Sequence, residues 1–203
     1  MTLENKNAYP DVCFQILDEL KQKLAPYLSY HCYDHIIDVS NVCDKYIKIY
    51  KVDDHMAKLI RIAAVGHDFG YTVSSIDHEE LSIQLLEPML KPVLTTEEID
   101  IVNGMIRATE VPQKPKTFYE KIIADADLDY LGREHYDDLS ENLHQELLHF
   151  GLIKSDREWL DLQISFLESH EFHTLYAKWN RRKLKLIKLK ELKAIQLEQI
   201  NDK

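Results

Sequence analysis

Glycine and proline are scarce, with five and six copies in 203 residues. An all-β chain or a doubly wound nucleotide-binding sheet needs more turn-forming positions than that, so the chain is expected to be all-α. Cysteine is scarcer still, at positions 13, 32 and 43. An odd number without C-x-x-C spacing makes neither a disulfide framework nor a cysteine zinc site and points to a reducing compartment. No stretch approaches the ~20 consecutive apolar residues of a membrane span, and the opening MTLENKNAYPDV has no apolar signal core, so a cytoplasmic protein is expected. Positive charge is also lacking. A formal net charge of -10 argues against non-specific binding to nucleic acid or to an anionic membrane, both of which depend on neutralising phosphates.

What is present is helical periodicity. With 45% hydrophobic and 30% charged residues the composition is that of a globular domain, long enough to bury a core without disulfides. Val12, Ile16, Leu20 and Leu24 recur on one face of residues 10–25, which Pro26 stops. The spacing predicts further helices from Tyr33 to Tyr50, from Asp54 to Val65, from His78 to Leu90, from TTEEID at 95–100 onward, from Phe118 through 131, and over 133–150. The segment 54–65 is apolar nearly all round, as a central buried helix would be, and QKPKT after Pro112 is a loop. Residues 156–200 close the chain, read as one long helix. With no linker rich in Gly, Ser or Pro, residues 1–203 are expected to form a single helical domain.

That closing stretch is strongly basic in an acidic chain, with Lys178, Arg181, Arg182, Lys183, Lys185, Lys188, Lys190 and Lys193. It is expected to be a solvated helix whose leucines and isoleucines pack inward beneath long cationic stems. The alternative is a contact for an acidic partner, a sister subunit or a polyanionic substrate. A basic helix on an acidic body would suit a homodimer.

Residues with chemistry gather at the predicted helix ends. His67-Asp68 follows the apolar run LIRIAAVG, so two metal-ligating side chains emerge where a buried helix stops. His31 and His35, four apart, share a face if that turn is helical. Asp125 and Asp127 sit in the apolar KIIADADLDYLG, where a free carboxylate is costly unless paired or bound to a cation. Two histidines and two carboxylates suit a divalent metal with positions left open for water and substrate oxygens. His135, His144, His149, His170 and His173 are scattered among acids and leucines and are expected on helix surfaces, and the cysteines as buried small hydrophobes.

The order H…HD…D, in the segments YHCYDHIIDV, AAVGHDFG and DADLDYLG, resembles the HD-domain superfamily of metal-dependent phosphohydrolases over about residues 28–132. The resemblance implies a compact all-α bundle, extended here by C-terminal helices over 133–203. It implies one divalent ion (Mn, Fe, Co, Ni, Zn or Mg) held by His35, His67, Asp68 and Asp127, with Asp125 as fallback ligand or as a partner behind the ligands. His31 resembles the acid that protonates a leaving oxygen in some family members. His78 would hold a phosphate and Glu79 orient water, while Arg107, Thr109 and Lys114, with Lys116 and Lys121 nearby, would meet the substrate. Only His78 lies between the HD pair and the last aspartate, which favours a mononuclear site. HDFGYT offers no glutamate of the kind some nucleotidases carry, and no double-histidine or GYP segment occurs. The implied activity is hydrolysis of a phosphate ester of a small substrate, a nucleotide above all, by hydroxide on the metal. The alternative is a degenerate HD domain that binds a nucleotide or a protein partner without hydrolysis.

Overall fold

A computed structural model of the chain describes residues 2–201. They are all-helical, with no strand among the described residues, and no helix among them is long and apolar enough to cross a membrane. The chain divides into two compact units, Met1–Asp127 and Leu128–Lys203.

The first unit contains α1 (Asp11–Lys23), α2 (Tyr33–Tyr50), α3 (Asp54–Gly66), α4 (His78–Leu90), α5 (Thr96–Arg107) and α6 (Phe118–Asp127), with a 3₁₀ turn at Phe69–Thr72 between α3 and α4. Helix α3 is the axis of the unit and packs against α1, α2, α5 and α6. This explains why its sequence is apolar nearly all round: Leu59, Ile60, Ile62, Ala63, Ala64 and Val65 are all fully buried. Each buried Leu or Ile among them contributes roughly 2 kcal/mol. Helix starts follow local chemistry. The Asp53 carboxylate accepts from Met56 N at 3.0 Å. Of the two threonines before α5, Thr95 is the cap: its hydroxyl takes Glu98 N at 3.2 Å while its own N–H donates to Glu98 Oε2 at 2.7 Å. Helix α1 stops at Lys23, because Leu24 is already extended ahead of Ala25-Pro26. Cys13 and Cys43 are buried as small hydrophobes, and burial pushes the Cys13 thiol up to about 12; Cys32, the cap residue of α2, is only partly buried.

The second unit contains a 3₁₀ turn at Asp129–Gly132, then α7 (Tyr136–His149), α8 (Asp156–Ser169), α9 (Leu175–Asn180) and α10 (Arg182–Asn201). The single long helix expected over 156–200 is therefore three helices. Nothing in the segment is a local breaker; the breaks come from tertiary demands and capping. His170 and Phe172 are extended out of α8 into buried positions, and Thr174 starts α9 by accepting from Ala177 N at 3.2 Å. Two histidines expected on the surface are buried as well: His170, and His144, whose ring stacks flat on Trp159 with centroids 5.2 Å apart. The expectation of apolar residues inward and lysines outward on the last helix also fails in part. Lys185 is buried, while Leu186, Ile187, Ile195 and Leu197 are exposed.

Asp129 organises the start of this unit. Its side chain is completely buried, and its two oxygens accept from Arg133 Nε at 2.5 Å and from Arg181 Nε at 2.8 Å. Gly132 is required where the turn meets that second arginine, since a Cβ there would stand 2.4 Å from the Arg181 carbonyl oxygen. Removing a buried ion's partner leaves the remaining charges uncompensated. Asp129→Ala is therefore expected to lower the unfolding free energy by about 3 kcal/mol, read as a lower urea midpoint; a change below about 0.5 kcal/mol, the range of an ordinary surface substitution, would contradict this role.

Candidate metal centre

Three helix ends of the first unit converge. His35 lies in the first turn of α2, His67 and Asp68 directly follow α3, and Asp127 is the last residue of α6. His35 Nε2 lies 3.4 Å from His67 Nε2, 3.4 Å from Asp68 Oδ2 and 3.2 Å from Asp127 Oδ1. His67 Nε2 lies 3.3 Å from Asp68 Oδ2 and 3.5 Å from Asp127 Oδ1. Donor atoms bound at about 2.1 Å to one ion stand about 3.0 to 3.4 Å apart, depending on the coordination angle. The group His35, His67 and Asp127 has its ligand atoms all within 4.8 Å of one another and could hold a metal ion. Asp68 joins it from the side of the two histidines.

The donor chemistry fits a cation. Asp68 Oδ2 is buried without a hydrogen bond although two imidazole nitrogens stand close by, so these atoms face a common point rather than bond to one another. His67 Nδ1 lies 2.9 Å from the Ala64 carbonyl oxygen; donating its proton there leaves Nε2 directed at the centre. Burial alone would lower the pKa of His35, but the adjacent Asp127 and Asp68 carboxylates outweigh this and raise it to about 9. His67 rises in the same way, against burial, under the Asp68 charge. Burial would raise both carboxyls, yet the histidines hold Asp127 down at about 2 and Asp68 well below the usual range. The pocket thus favours positive charge, whether as protons or as an ion.

A second set of groups surrounds the first. His78, the opening residue of α4, places Nε2 3.3 Å from Asp68 Oδ1 and 3.2 Å from Glu79 Oε1. Burial lowers and the Asp68 bond raises the His78 pKa, with a net rise; burial raises that of Glu79, only partly opposed by His78. His31 stacks on Tyr71 with centroids 4.1 Å apart, and Tyr71 OH lies 3.1 Å from His31 Nε2. The Tyr71 ring also stands 4.4 Å from that of His78, joining the two histidines. Tyr71 is a site residue that sequence reading missed, although its place one short turn beyond Asp68 was the available signal.

Backbone packing holds α4 against the HD turn. Gly70 N donates to Ser82 Oγ at 2.7 Å, and that hydroxyl faces the carbonyl oxygens of His67 and His78 at 2.7 and 2.8 Å. A Cβ on Gly70 would stand 2.1 Å from the His78 carbonyl oxygen, so only glycine allows this approach.

The other expected residues are placed less uniformly. Asp125 is fully buried two positions before Asp127, about 200° round α6, so the two carboxylates leave the helix in different directions. Arg107 is half-exposed and paired with Glu80, its Nη2 3.0 Å from Glu80 Oε2 and its Nε also on that carboxylate. Thr109 is buried, and its hydroxyl donates to the Ile106 carbonyl at 2.7 Å, which leaves no proton for a substrate oxygen. Lys114 is exposed and, with Arg107, Lys116 and two glutamates, lines a hollow of about 390 Å³ beyond the end of α5.

No protein-family model matches the chain, and no curated protein matches it either. The reading of the centre therefore rests on its own geometry. That geometry makes Gly70 a sensitive position. Gly70→Ala is expected to destabilise the protein by about 1–3 kcal/mol and to displace His78 from Asp68, seen as a lowered melting temperature and a shifted His78 imidazole resonance. A variant as stable as the wild type, with that resonance unmoved, would show that the close approach is not needed.

Proposed function

We propose that the protein is a metal-dependent phosphohydrolase that cleaves a phosphate ester of a small substrate, in the first place a nucleotide. The observation that carries the reading is the convergence of His35, His67, Asp68 and Asp127, with five donor–donor separations between 3.2 and 3.5 Å. It coincides residue for residue with the ligand order that the HD resemblance implies. Two nitrogens and two oxygens suit Mn, Fe, Co, Ni, Zn or Mg to differing degrees. Such an ion supplies positive charge for phosphoryl oxygens and lowers the pKa of water towards neutrality.

The chain's own residues supply the rest. Asp68 uses its two oxygens differently: Oδ2 faces the ligand histidines, and Oδ1 takes His78, so the group beside the ion is oriented by a ligand. His78, whose Nε2 is held by Asp68 and Glu79, is favoured as an imidazolium and donates its Nδ1 proton to a phosphoryl oxygen. Glu79 is buried, and its raised proton affinity suits a base that takes a proton from water at Oε1. The stacked pair His31 and Tyr71 delivers a proton to the leaving oxygen. Lys114 is available for a substrate anion, whereas Arg107 must first leave Glu80.

The test is elemental analysis of the purified protein, with phosphate release from a nucleotide panel in the presence of Mn or Mg. The wild type is expected to hold about one ion per chain and to turn over at least one nucleotide. Asp68→Ala is expected to lose both, and His78→Gln to keep the metal while losing about 10²-fold in kcat. Retained turnover by Asp68→Ala would sink the reading. Nucleotide-induced stabilisation without product would move it to a binding module.

A further inference from the structure

The cationic C-terminal segment lies in the second unit, where it lines a hollow. Between the end of α8 and the first turns of α10 lies a hollow of about 320 Å³, a size that accommodates a small molecule. Lys178 from α9 and Arg182 and Lys185 from α10 line it, with Phe172 and His170 from the connection between α8 and α9. Lys178 and Arg182 are exposed, so they stand at the mouth, whereas Lys185 is only 5% exposed and stands at the base. A lysine buried to that degree is unusual and is retained only where something answers its charge.

What answers it within the unit is partial. Lys185 Nζ donates to the His170 carbonyl oxygen, which engages one of its three protons, and the Phe172 ring stands 6.0 Å away. Two carboxylates also line the hollow. Glu168 is bridged to Lys193, and Glu171 supports the ammonium electrostatically, against the repulsion of Arg182. Burial nevertheless pulls the Lys185 pKa down, so its charge is under-compensated.

We propose that Lys178, Arg182 and Lys185 form a binding site for the phosphate group of a small phosphorylated molecule, separate from the metal centre. A phosphate monoester brings up to two negative charges and three free acceptor oxygens, one for each cation. Arg182 and Lys185, three apart on α10, share a face and present a planar fork and a point charge to the same group. The aromatic wall of Phe172 and His170, whose rings meet edge to face at 4.7 Å, shields the base from water.

The experiment is calorimetric titration of the full-length chain with inorganic phosphate, in the wild type and in Asp68→Ala, which silences the metal centre. Saturable binding is expected in both. Arg182→Ser and Lys178→Ser, at exposed positions, are each expected to weaken it about tenfold, and Lys185→Met to abolish it. Because the two exposed variants leave the interior unchanged, they decide the matter even if Lys185→Met does not fold. Absence of saturable binding in Asp68→Ala would overturn the proposal, as would unchanged affinity in both Arg182→Ser and Lys178→Ser. Loss of binding in Asp68→Ala would assign the phosphate to the metal centre alone; that result leaves the hydrolase reading standing, just as failure of metal loading would leave this site standing.

Discussion

A carboxylate taken out of water stays ionised only if positive charge is placed against it, and the first unit buries Asp68, and most of Asp127, at two helix ends. Much of what surrounds them follows from that constraint. His35 must arrive from α2 and His67 from the end of α3, with Nε2 free to face the acids. The Ala64 carbonyl secures that orientation for His67. The turn that presents Asp68 must then be held still, which Ser82 does by collecting Gly70 N and two carbonyl oxygens around one hydroxyl. Helix α4 can come close enough to do this only because residue 70 has no side chain. The same approach delivers His78 to the far oxygen of Asp68, with Glu79 beside that imidazole. One electrostatic demand thus sets the position of helix ends, a serine and a glycine.

Periodicity in the sequence was enough to find the helices of the first unit, because each is amphipathic around a central helix that is apolar nearly all round. The candidate ligands were legible for a different reason. A histidine-aspartate pair at the end of an apolar helix, and acids inside an apolar run, are locally costly and therefore conspicuous. What no local signal carries is the supporting shell. Tyr71 and Ser82 are ordinary residues until the turn and α4 are packed together, and Arg107 looks like a free cation until Glu80 is found beside it. The division of 156–200 into three helices was hidden for a related reason: no Gly or Pro occurs there, and the break comes from burying His170 and Phe172.

The segment Asp125-Ala126-Asp127-Leu128-Asp129 shows how finely such information is divided. The three acids alternate with apolar residues and look equivalent in sequence. Asp127, ending α6, turns its carboxylate to the histidines. Asp125 lies about 200° away on the same helix. Asp129 falls after the helix and is neutralised within the second unit by two arginines, one of them 52 residues distant. The change from helix to 3₁₀ turn at residues 127–129 is what sends neighbouring acids to different tasks. Such a boundary is the feature that sequence periodicity locates least well.

Charge in the second unit follows the same rule with the sign reversed. The basic helix looks like a solvated stripe in sequence, but several of its cations are individually engaged. Arg181 closes on Asp129, Lys188 on Asp137 and Glu191, and Lys193 on Glu168. Of the cations outside these pairs, Lys185, with Lys178 and Arg182 beside it, lines one hollow. Exposed apolar residues such as Leu186 and Ile187 flank a buried lysine there, the reverse of the inside-outside order that burial of apolar surface alone would select. A solvated helix would gain stability by turning that lysine outward and those residues inward. The packing of His170 and Phe172 against the hollow holds the opposite arrangement, and an anion seated between the three cations is the state in which it is electrostatically complete.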